Sequence, residues 1–356
     1  MMKKERLDAD LKIIISACQN LVHNIDAIIL YGGYGREEGA WIQDESGNPR
    51  AYNDYDILII SNDKVSKEHL DELRIKLAKM IGISWVDISI KPKRALRKLK
   101  ATIFNFDLKN GSRVIYGDFN ILNEIPNIRA SDIGYRDVRI LFYTRIITLI
   151  GCCKVNDFKV GLIDPEKAMF FRSQISKAVF SVIDLILITE PSVNYESSYK
   201  KRVEVVKSMS KYEGYFYLFD WALDNKLKPS CSKISKDELN SIYNEAILLF
   251  MNNFTIYFAK VNRLKSITYS SLIKCYKNEF QIWLRRLYYF LKRSDFMEKS
   301  LYCDKIQLAY LLANPQYKNC SEARDFLIEE FSLTKHYDVN DQEYVRLKVS
   351  KMRLGD

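Results

Sequence analysis

The sequence predicts an α+β protein, in which a small mixed β-sheet module with helices precedes an all-α helical domain. In the first 120 residues, helical apolar patterns alternate with short apolar strands in the order β-α-β-α-β-β, which suits a mixed sheet with helices on one face. From about residue 130, glycine nearly disappears and long apolar-periodic runs follow one another. We therefore predict one domain over residues 1–125 and a helical domain over residues 126–356.

Composition narrows the class of protein. The 356 residues suffice for two cores, and the net charge of +10 favours anionic partners such as nucleotides, nucleic acid or acidic surfaces. The start, MMKKERLDAD, lacks the apolar stretch of a signal peptide, and charged residues interrupt the long apolar runs, so we expect a cytoplasmic protein with no membrane partner. Seven scattered cysteines without CxxC spacing indicate a reduced protein. With only three histidines, a bound metal should be a hard ion on oxygen ligands.

The elements of the first module follow from local patterns. Apolar residues at helical spacing predict a first helix near residues 7–21, and the run AIILY predicts a strand that ends at Tyr31. A loop is expected over residues 40–53, where Asp, Ser, Gly, Asn and Pro cluster, and the strand DYDILII follows it. Ser66 and Gly82 are suited to cap the two ends of the next helix. The runs ISWVDISI and SRVIYG predict two further strands.

The second half reads as helices throughout. Asp164, Pro165 and Glu166 are typical of a helix start, because proline fits the first turn and acids complement the helix dipole. The predicted helices cover residues 134–151, 164–189, 197–225, 235–263, 268–293, 302–313, 321–332 and 341–353.

Two aspartates open the strand DYDILII and are the strongest chemical signal. Side chains alternate along a strand, so Asp54 and Asp56 share a face, about 7 Å apart, and two such carboxylates favour a cation between them. Asp87 lies in another strand of the same predicted sheet and converges on the pair if the strands are neighbours. Three carboxylates can hold two divalent ions for phosphoryl or nucleotidyl transfer. The alternative is that Asp54 caps a loop and Asp56 is solvated.

Gly32, Gly33 and Gly35 follow the first strand directly and allow a tight turn whose backbone N–H groups can face an anion. The spacing GxGxxxG misses the dinucleotide fingerprint by one residue, and no Lys-Ser or Lys-Thr follows as a Walker A loop requires. The glycines are therefore expected to serve a triphosphate if they bind a ligand.

The succession LYGGYGREEG, NDYDILII and VDISI resembles the nucleotidyltransferase superfamily of DNA polymerase beta, kanamycin nucleotidyltransferase and the minimal nucleotidyltransferases. The resemblance covers roughly the first 120 residues and implies a metal-dependent transfer of a nucleoside monophosphate from an NTP, such as ATP, to an acceptor hydroxyl, with release of pyrophosphate. It implies two Mg²⁺ ions, for which Mn²⁺ can substitute. By this resemblance, Asp54, Asp56 and Asp87 are the catalytic and metal-ligating residues, with Asp87 as ligand or general base.

The same resemblance assigns nucleotide binding to Gly32 and Gly33, which would face the β and γ phosphates, and to Arg36. Gly33 stands where many relatives carry serine. In the helical half, Lys177 resembles a lysine that reaches the triphosphate in several relatives, and a solvated lysine is the alternative.

The acceptor stays open between a small molecule, a protein side chain and an RNA end. Six basic residues in KPKRALRKLK, residues 91–100, can guide a nucleic-acid or triphosphate backbone, or form a solvated helix face. The run WLRRLYYFLKR, Trp283 to Arg293, is read as core rather than as RNA-binding surface. A catalytically silent relative that binds nucleotide or a partner is the alternative function.

Overall fold

The computed structural model describes residues 2–134, 162–190, 193–230 and 232–262, together with isolated residues between 137 and 149 and at 321 and 325. The chain divides into two compact units. The first comprises Met1–Asp137, Leu187–Gly214 and Leu223–Ser230; the second comprises Val138–Ile186, Tyr215–Ala222 and Cys231–Asp356. The domain boundary after residue 125 stays a prediction.

The first 117 residues contain five helices and six strands within the described part of the chain. Their bounds are α1 Lys3–Leu21, β1 Ile25–Tyr31, α2 Gly32–Gly35, β2 Trp41–Gln43, β3 Pro49–Ala51, β4 Tyr55–Ser61, α3 Lys67–Ile81, β5 Val86–Lys91, α4 Lys93–Leu96, α5 Ile103–Asn110 and β6 Arg113–Gly117. The predicted α+β architecture is confirmed. Asp54, however, immediately precedes β4 rather than lying in it.

Four of these strands form one mixed sheet in the order β5-β4-β1-β6. Strand β4 pairs in parallel with β5, whereas β1 pairs antiparallel with both β4 and β6. Helix α3 connects the parallel pair, as a crossover between parallel strands requires. The mixed sheet expected from the sequence is therefore present.

Helices cover both faces of this sheet. On one face, Ile28, Leu30, Ile57 and Ile59 pack with apolar residues of α1 and α3. On the other, alternate residues of the same two strands pack with Leu96 of α4, Leu108 of α5 and the segment after β6. The expectation of helices on one face only is wrong, because the near-continuous apolar runs of β1 and β4 offer apolar side chains in both directions.

Both predicted caps of α3 are confirmed. The Ser66 hydroxyl accepts a hydrogen bond from the His69 N–H at 3.3 Å, which satisfies one of the unpaired donors in the first helical turn. At the other end Gly82 adopts a left-handed conformation with φ of 79°, which glycine tolerates without strain.

Residues 40–53 contain a β-hairpin instead of the predicted plain loop. Strands β2 and β3 pair antiparallel, with Trp41 opposite Ala51. The hairpin turn is held by Asp44, whose carboxylate accepts hydrogen bonds from the N–H groups of Ser46 and Asn48. The turn residues therefore predicted the bend correctly. The strands on each side were not predicted, because a strand of three residues is too short to show an alternating pattern.

Downstream, the described helices are α6 Pro165–Thr189, α7 Tyr199–Lys207, α8 Phe216–Leu227 and α9 Lys236–Asn262. The predictions 164–189 and 235–263 are confirmed. The single helix over 197–225 is wrong: α7 and α8 are separate, with a 3₁₀ segment at Ser210–Tyr215 between them. Serines 208 and 210 and Gly214 lie in this break, where they disfavour a continuous helix.

The second unit also holds a two-stranded antiparallel pair, β7 Leu162–Ile163 with β8 Ile234–Ser235, which the all-helical prediction omitted. The helices predicted beyond residue 263 and the patch Trp283–Arg293 lie outside the described residues, as does most of residues 134–151. Among the helices that are described, none combines the length and the apolarity that crossing a bilayer requires.

Candidate functional site

Tyr31, Asp56 and Asp87 lie side by side at one end of the sheet. In the strand register Tyr31 pairs with Asp56, and Asp56 pairs with Asp87 across the parallel strands β4 and β5. Residues in register on adjacent strands direct their side chains to the same face, so these three form a row. We call Tyr31, Asp56 and Asp87 the carboxylate row. Asp54, two residues before Asp56, extends the row beyond the strand.

The glycine turn lies directly against the row. Gly32 has φ of +67°, and a Cβ atom added to it would lie 1.8 Å from Oδ2 of Asp56. A side chain at Gly32 would therefore both strain the backbone and displace the Asp56 carboxylate. Gly33 differs, because its added Cβ would approach no atom closer than 3.6 Å. A Cβ atom at position 33 would therefore fit without a clash.

Within the carboxylate row, the pKa of Asp56 bears most directly on metal binding. Burial, followed by the negative charges of Asp54 and Asp87, raises the pKa of the Asp56 carboxyl to about 7. The positive charges of Arg36 and Lys226 oppose this rise. A partly buried carboxylate beside two others lacks full compensation, which is the situation that a divalent cation relieves.

The described residues contain no group of three or more His, Cys, Asp and Glu side chains that is arranged to enclose a metal ion. This finding bears on the predicted three-ligand cluster, but Mg²⁺ commonly uses one or two carboxylates, with water and substrate phosphates completing its coordination. One or two of these carboxylates would thus be enough for a hard cation that binds together with a triphosphate, and the three-ligand cluster stays a prediction.

Asp87 is held from two sides. The Tyr31 hydroxyl donates to its Oδ2 at 3.4 Å, and the Arg74 guanidinium lies 3.8 Å from its Oδ1. Burial, and then the charges of Asp56 and Asp87, raise the pKa of Tyr31, so its hydroxyl stays protonated and remains a donor. The Asp87 side chain is 43% exposed, which leaves the carboxylate accessible from solvent.

Arg36 is a buried residue rather than a surface arginine. Its side chain is 6% exposed; it lies 3.3 Å from Oδ2 of Asp107 on α5 and 3.8 Å from Oε2 of Glu38. Asp107 also pairs with Arg202 of α7, whose side chain is 1% exposed. Two buried arginines thus share one carboxylate, and the charge of Arg36 still acts on Asp56. Its predicted contact with nucleotide stays a prediction.

Glu38 caps α7 across a long sequence separation. Its carboxylate accepts hydrogen bonds from the Ser198 hydroxyl at 2.8 Å and from the N–H groups of Tyr199 at 2.8 Å and Lys200 at 3.1 Å. These N–H groups have no partner inside the helix, and the N-terminal end of a helix favours a negative charge. Glu38 therefore fixes α7 next to the glycine turn within the first unit.

The predicted phosphate-binding lysine, Lys177, and a second lysine, Lys226, lie in different units. Lys177 lies in α6 within the second unit and is half-buried, and its proposed reach to a triphosphate stays a prediction. Lys226 of α8 belongs to the first unit, and its charge acts on Asp56. The sequence reasoning missed Lys226, since nothing in the local pattern of FYLFDWALDNKL distinguishes this lysine from a solvated one.

The basic run 91–100 starts away from the row. Lys91 pairs with Ile60, so it lies at the opposite end of β5 from Asp87, about 13 Å along the strand. Lys93 pairs with Asp118 and Glu124 at 3.4 Å each, and Arg97 pairs with Glu124. Part of the run is therefore neutralised locally, and nucleic-acid binding by it stays a prediction.

Glu38 and Arg202 were also missed, although Arg202 left a signal. Arg202 lies four positions before Val206, so the two residues share one face of a short helix, and that face is apolar at Val206. A charged residue on an apolar face predicts a buried ion pair. Its partner Asp107 is 95 residues away in the sequence, and only the fold brings the two together.

The similarity of this chain to known proteins is low. No protein-family model matches the chain, and no curated protein matches it significantly. Among solved structures, the chain is similar to spectinomycin adenyltransferase AAD(9) from Enterococcus faecialis, in a crystal structure with ATP and spectinomycin. The identity is 14%, the TM-score is 0.38, and the match covers 70% of this chain and 99% of that one. At these values the similarity carries no argument for function.

Asp56→Asn is expected to stabilise the metal-free protein above pH 7. The folded-state pKa of Asp56 exceeds its unfolded value of 3.8, so the folded protein binds the proton more tightly and loses stability as the pH rises from about 4 to about 7. Asparagine cannot lose a proton, so the substitution should raise the free energy of unfolding by roughly 1–3 kcal/mol at pH 8 and leave it almost unchanged at pH 4. Urea unfolding at both pH values measures the difference, with exposed Asp8→Asn as control. An equal effect at both pH values would contradict the assignment.

Proposed function

We propose that this protein is a nucleotidyltransferase, which moves a nucleoside monophosphate from an NTP to an acceptor hydroxyl and releases pyrophosphate. The contact between Gly32 and Asp56 is the observation that carries the proposal, because it joins a glycine turn suited to phosphate to a row of carboxylates suited to a cation. Neither the glycine turn nor the row of carboxylates would indicate this reaction by itself.

The roles of the residues follow from their positions. Asp54 and Asp56 would hold Mg²⁺, with Asp87 as a further ligand or as the general base that accepts the proton of the acceptor hydroxyl. When bound, the metal would neutralise charge on the triphosphate and polarise its phosphoryl oxygens. Tyr31 and Arg74 hold the Asp87 carboxylate in one orientation, in which it would accept the proton of the acceptor hydroxyl.

The triphosphate would lie along the glycine turn. Gly33 leaves room for close approach of a phosphate oxygen, because an added Cβ there would meet no atom closer than 3.6 Å. The space beside Gly32 is filled by the Asp56 carboxylate, so Gly32 would face the phosphates through its backbone N–H. Positive charge from Arg36 and Lys226 favours an anion at this end of the sheet. Lys226 is thus a candidate for phosphate contact beside the earlier candidate Lys177.

Isothermal titration with ATP, GTP, CTP and UTP, each with and without Mg²⁺, tests the proposal. We expect Mg²⁺-dependent binding of at least one NTP, reduced on the order of 100-fold or more in the Asp54→Ala, Asp56→Ala double variant because charge neutralisation is lost. The exposed Asp8→Ala variant is the control and should bind as wild type does. Mg²⁺-dependent binding that survives the double substitution would rule out the metal assignment.

The acceptor class is open between a small molecule, a protein and an RNA end. Incubation of the protein with labelled NTPs and a cell extract, followed by separation of these three fractions, identifies the class. Asp87→Asn should retain NTP binding yet lose most transfer if Asp87 is the base. NTP binding with no pyrophosphate release from any extract would favour the alternative, a silent nucleotide-binding module of the same fold.

A further inference from the structure

Three cationic side chains surround the ring of Tyr199, the first residue of α7. From the ring centroid, the distances are 4.5 Å to Cζ of Arg36, 5.3 Å to Cζ of Arg202 and 5.5 Å to Nζ of Lys226. The face of an aromatic ring attracts cations within about 6 Å of its centroid. Tyr199 therefore contacts two buried arginines and one lysine within the first unit.

The three cations differ in what else they contact. Arg36 and Arg202 share the carboxylate of Asp107, and Arg36 also lies 3.8 Å from Glu38, so part of their charge is compensated. Within the part of the chain that the structure describes, no carboxylate lies within 4.0 Å of the Lys226 ammonium. The ring attracts this ammonium without accepting its N–H groups as a carboxylate would, so the donors of Lys226 remain available to an anion.

Tyr199 is fixed in place by the glycine-turn segment itself. Its N–H donates to Oε2 of Glu38 at 2.8 Å, and Glu38 also accepts from the Ser198 hydroxyl. Because Glu38 lies six residues after Gly32 in the sequence, the ring position is tied to the same segment that contacts Asp56. The Glu38 N–H in turn donates to the Gly33 carbonyl at 2.9 Å, so the Tyr199 ring, and the Lys226 ammonium over it, lie near the glycine turn.

We propose that Tyr199 is a positioning residue, whose ring holds the Lys226 ammonium beside the carboxylate row so that its N–H donors meet the triphosphate of the nucleotide. This inference rests on the proposed function and deepens it. A carboxylate in place of the ring would also hold the lysine, but it would neutralise the ammonium and occupy its donors. The ring provides placement without neutralisation.

Titration with inorganic tripolyphosphate and with ATP, each with Mg²⁺, tests this role in the full-length protein. The variants are Lys226→Gln, Tyr199→Leu, Tyr199→Phe and the double variant Tyr199→Leu, Lys226→Gln. Exposed Lys228→Gln, two residues along the chain, is the matched control for the loss of one positive charge.

We expect Lys226→Gln and Tyr199→Leu each to weaken tripolyphosphate binding about fivefold to tenfold at low salt, and the double variant to lose no more than the weaker-binding single variant. Tyr199→Phe should stay within about twofold of wild type, because phenylalanine keeps the ring. Raising the salt to about 0.5 M should shrink the difference between wild type and Lys226→Gln, since ions screen the contact.

A second measurement uses the wild-type fold and does not depend on the stability of the Tyr199 variants. After reductive ¹³C-methylation of lysines, the resonance of Lys226, assigned from Lys226→Arg, should show an upfield ring-current shift. It should move again when tripolyphosphate and Mg²⁺ are added. A random-coil position that does not respond to tripolyphosphate overturns the proposal.

The outcomes separate this inference from the proposed function. If the wild type binds ATP but Lys226→Gln and Tyr199→Leu bind it equally well, the Tyr199 role is wrong and the nucleotidyltransferase proposal survives. A loss in Tyr199→Phe as large as in Tyr199→Leu also overturns the role of the ring. If the wild type binds neither ATP nor tripolyphosphate, both proposals fail.

Discussion

Gly32→Ala is expected to reduce Mg²⁺-dependent NTP binding and nucleotidyl transfer by on the order of 100-fold, because it displaces the Asp56 carboxylate by about an ångström. The added Cβ would lie 1.8 Å from Oδ2 of Asp56, whereas real contacts of this kind stay above 3.0 Å. The carboxylate must therefore rotate or move away from the turn, and with it one of the proposed metal ligands.

Alanine variants at two other glycines distinguish the effect of this clash from the effect of backbone strain. Gly47 has φ of +76° with no atom within 4 Å of an added Cβ, so Gly47→Ala should cost only the conformational strain of roughly 1 kcal/mol and leave NTP binding unchanged. Gly33 has neither a positive φ nor a close contact, so Gly33→Ala should leave the free energy of unfolding nearly unchanged.

Titration with Mg²⁺ and NTP, together with urea unfolding of all three variants, measures both effects. If Gly32→Ala bound NTP as tightly as Gly47→Ala, the contact between the glycine turn and Asp56 would have no functional importance. The contact between Gly32 and Asp56 would then no longer support the proposed function.

Glu38→Ala is expected to lower the free energy of unfolding by roughly 3 kcal/mol, because it removes a buried carboxylate that three donors share. The N–H groups of Tyr199 and Lys200 and the Ser198 hydroxyl would lose their acceptor. The nearby guanidinium of Arg36 would also lose a negative neighbour.

The adjacent Glu37 is a matched control, since it is exposed whereas Glu38 is 7% exposed. Glu37→Gln should change the unfolding free energy by less than about 0.5 kcal/mol, as surface substitutions commonly do. Glu38→Gln should fall between the two, because its amide retains one acceptor oxygen. Urea denaturation followed by circular dichroism measures the three values.

Hydrogen exchange tests whether the loss in Glu38→Ala is located at α7. The amides at the start of α7 should exchange faster in Glu38→Ala, while those of β1 and β4 keep their protection relative to global unfolding. A uniform loss of protection across the first unit would mean that Glu38 supports the whole core and is not specifically a cap of α7.

Much of the first unit could be predicted from sequence because its signals are local. The caps Ser66 and Gly82 act within one helical turn, and the strands β1 and β4 show as uninterrupted apolar runs. The glycine turn and the two-residue spacing of Asp54 and Asp56 are likewise visible in the sequence, although Asp54 proves to precede β4.

The remaining features required the tertiary structure, because they depend on contacts between distant segments. The sequence places Asp87 in a strand, but only the parallel register of β4 and β5 sets it beside Asp56. Glu38 meets α7 across about 160 residues, and no local pattern specifies which donors a buried glutamate receives. The same holds for the choice of lysine. The resemblance to nucleotidyltransferases favoured Lys177, whereas the fold of the first unit brings the charge of Lys226 to Asp56. The sequence by itself thus determined the chemistry of the row, and the tertiary structure decided which side chains surround it, since burial and charge compensation arise only when the segments pack.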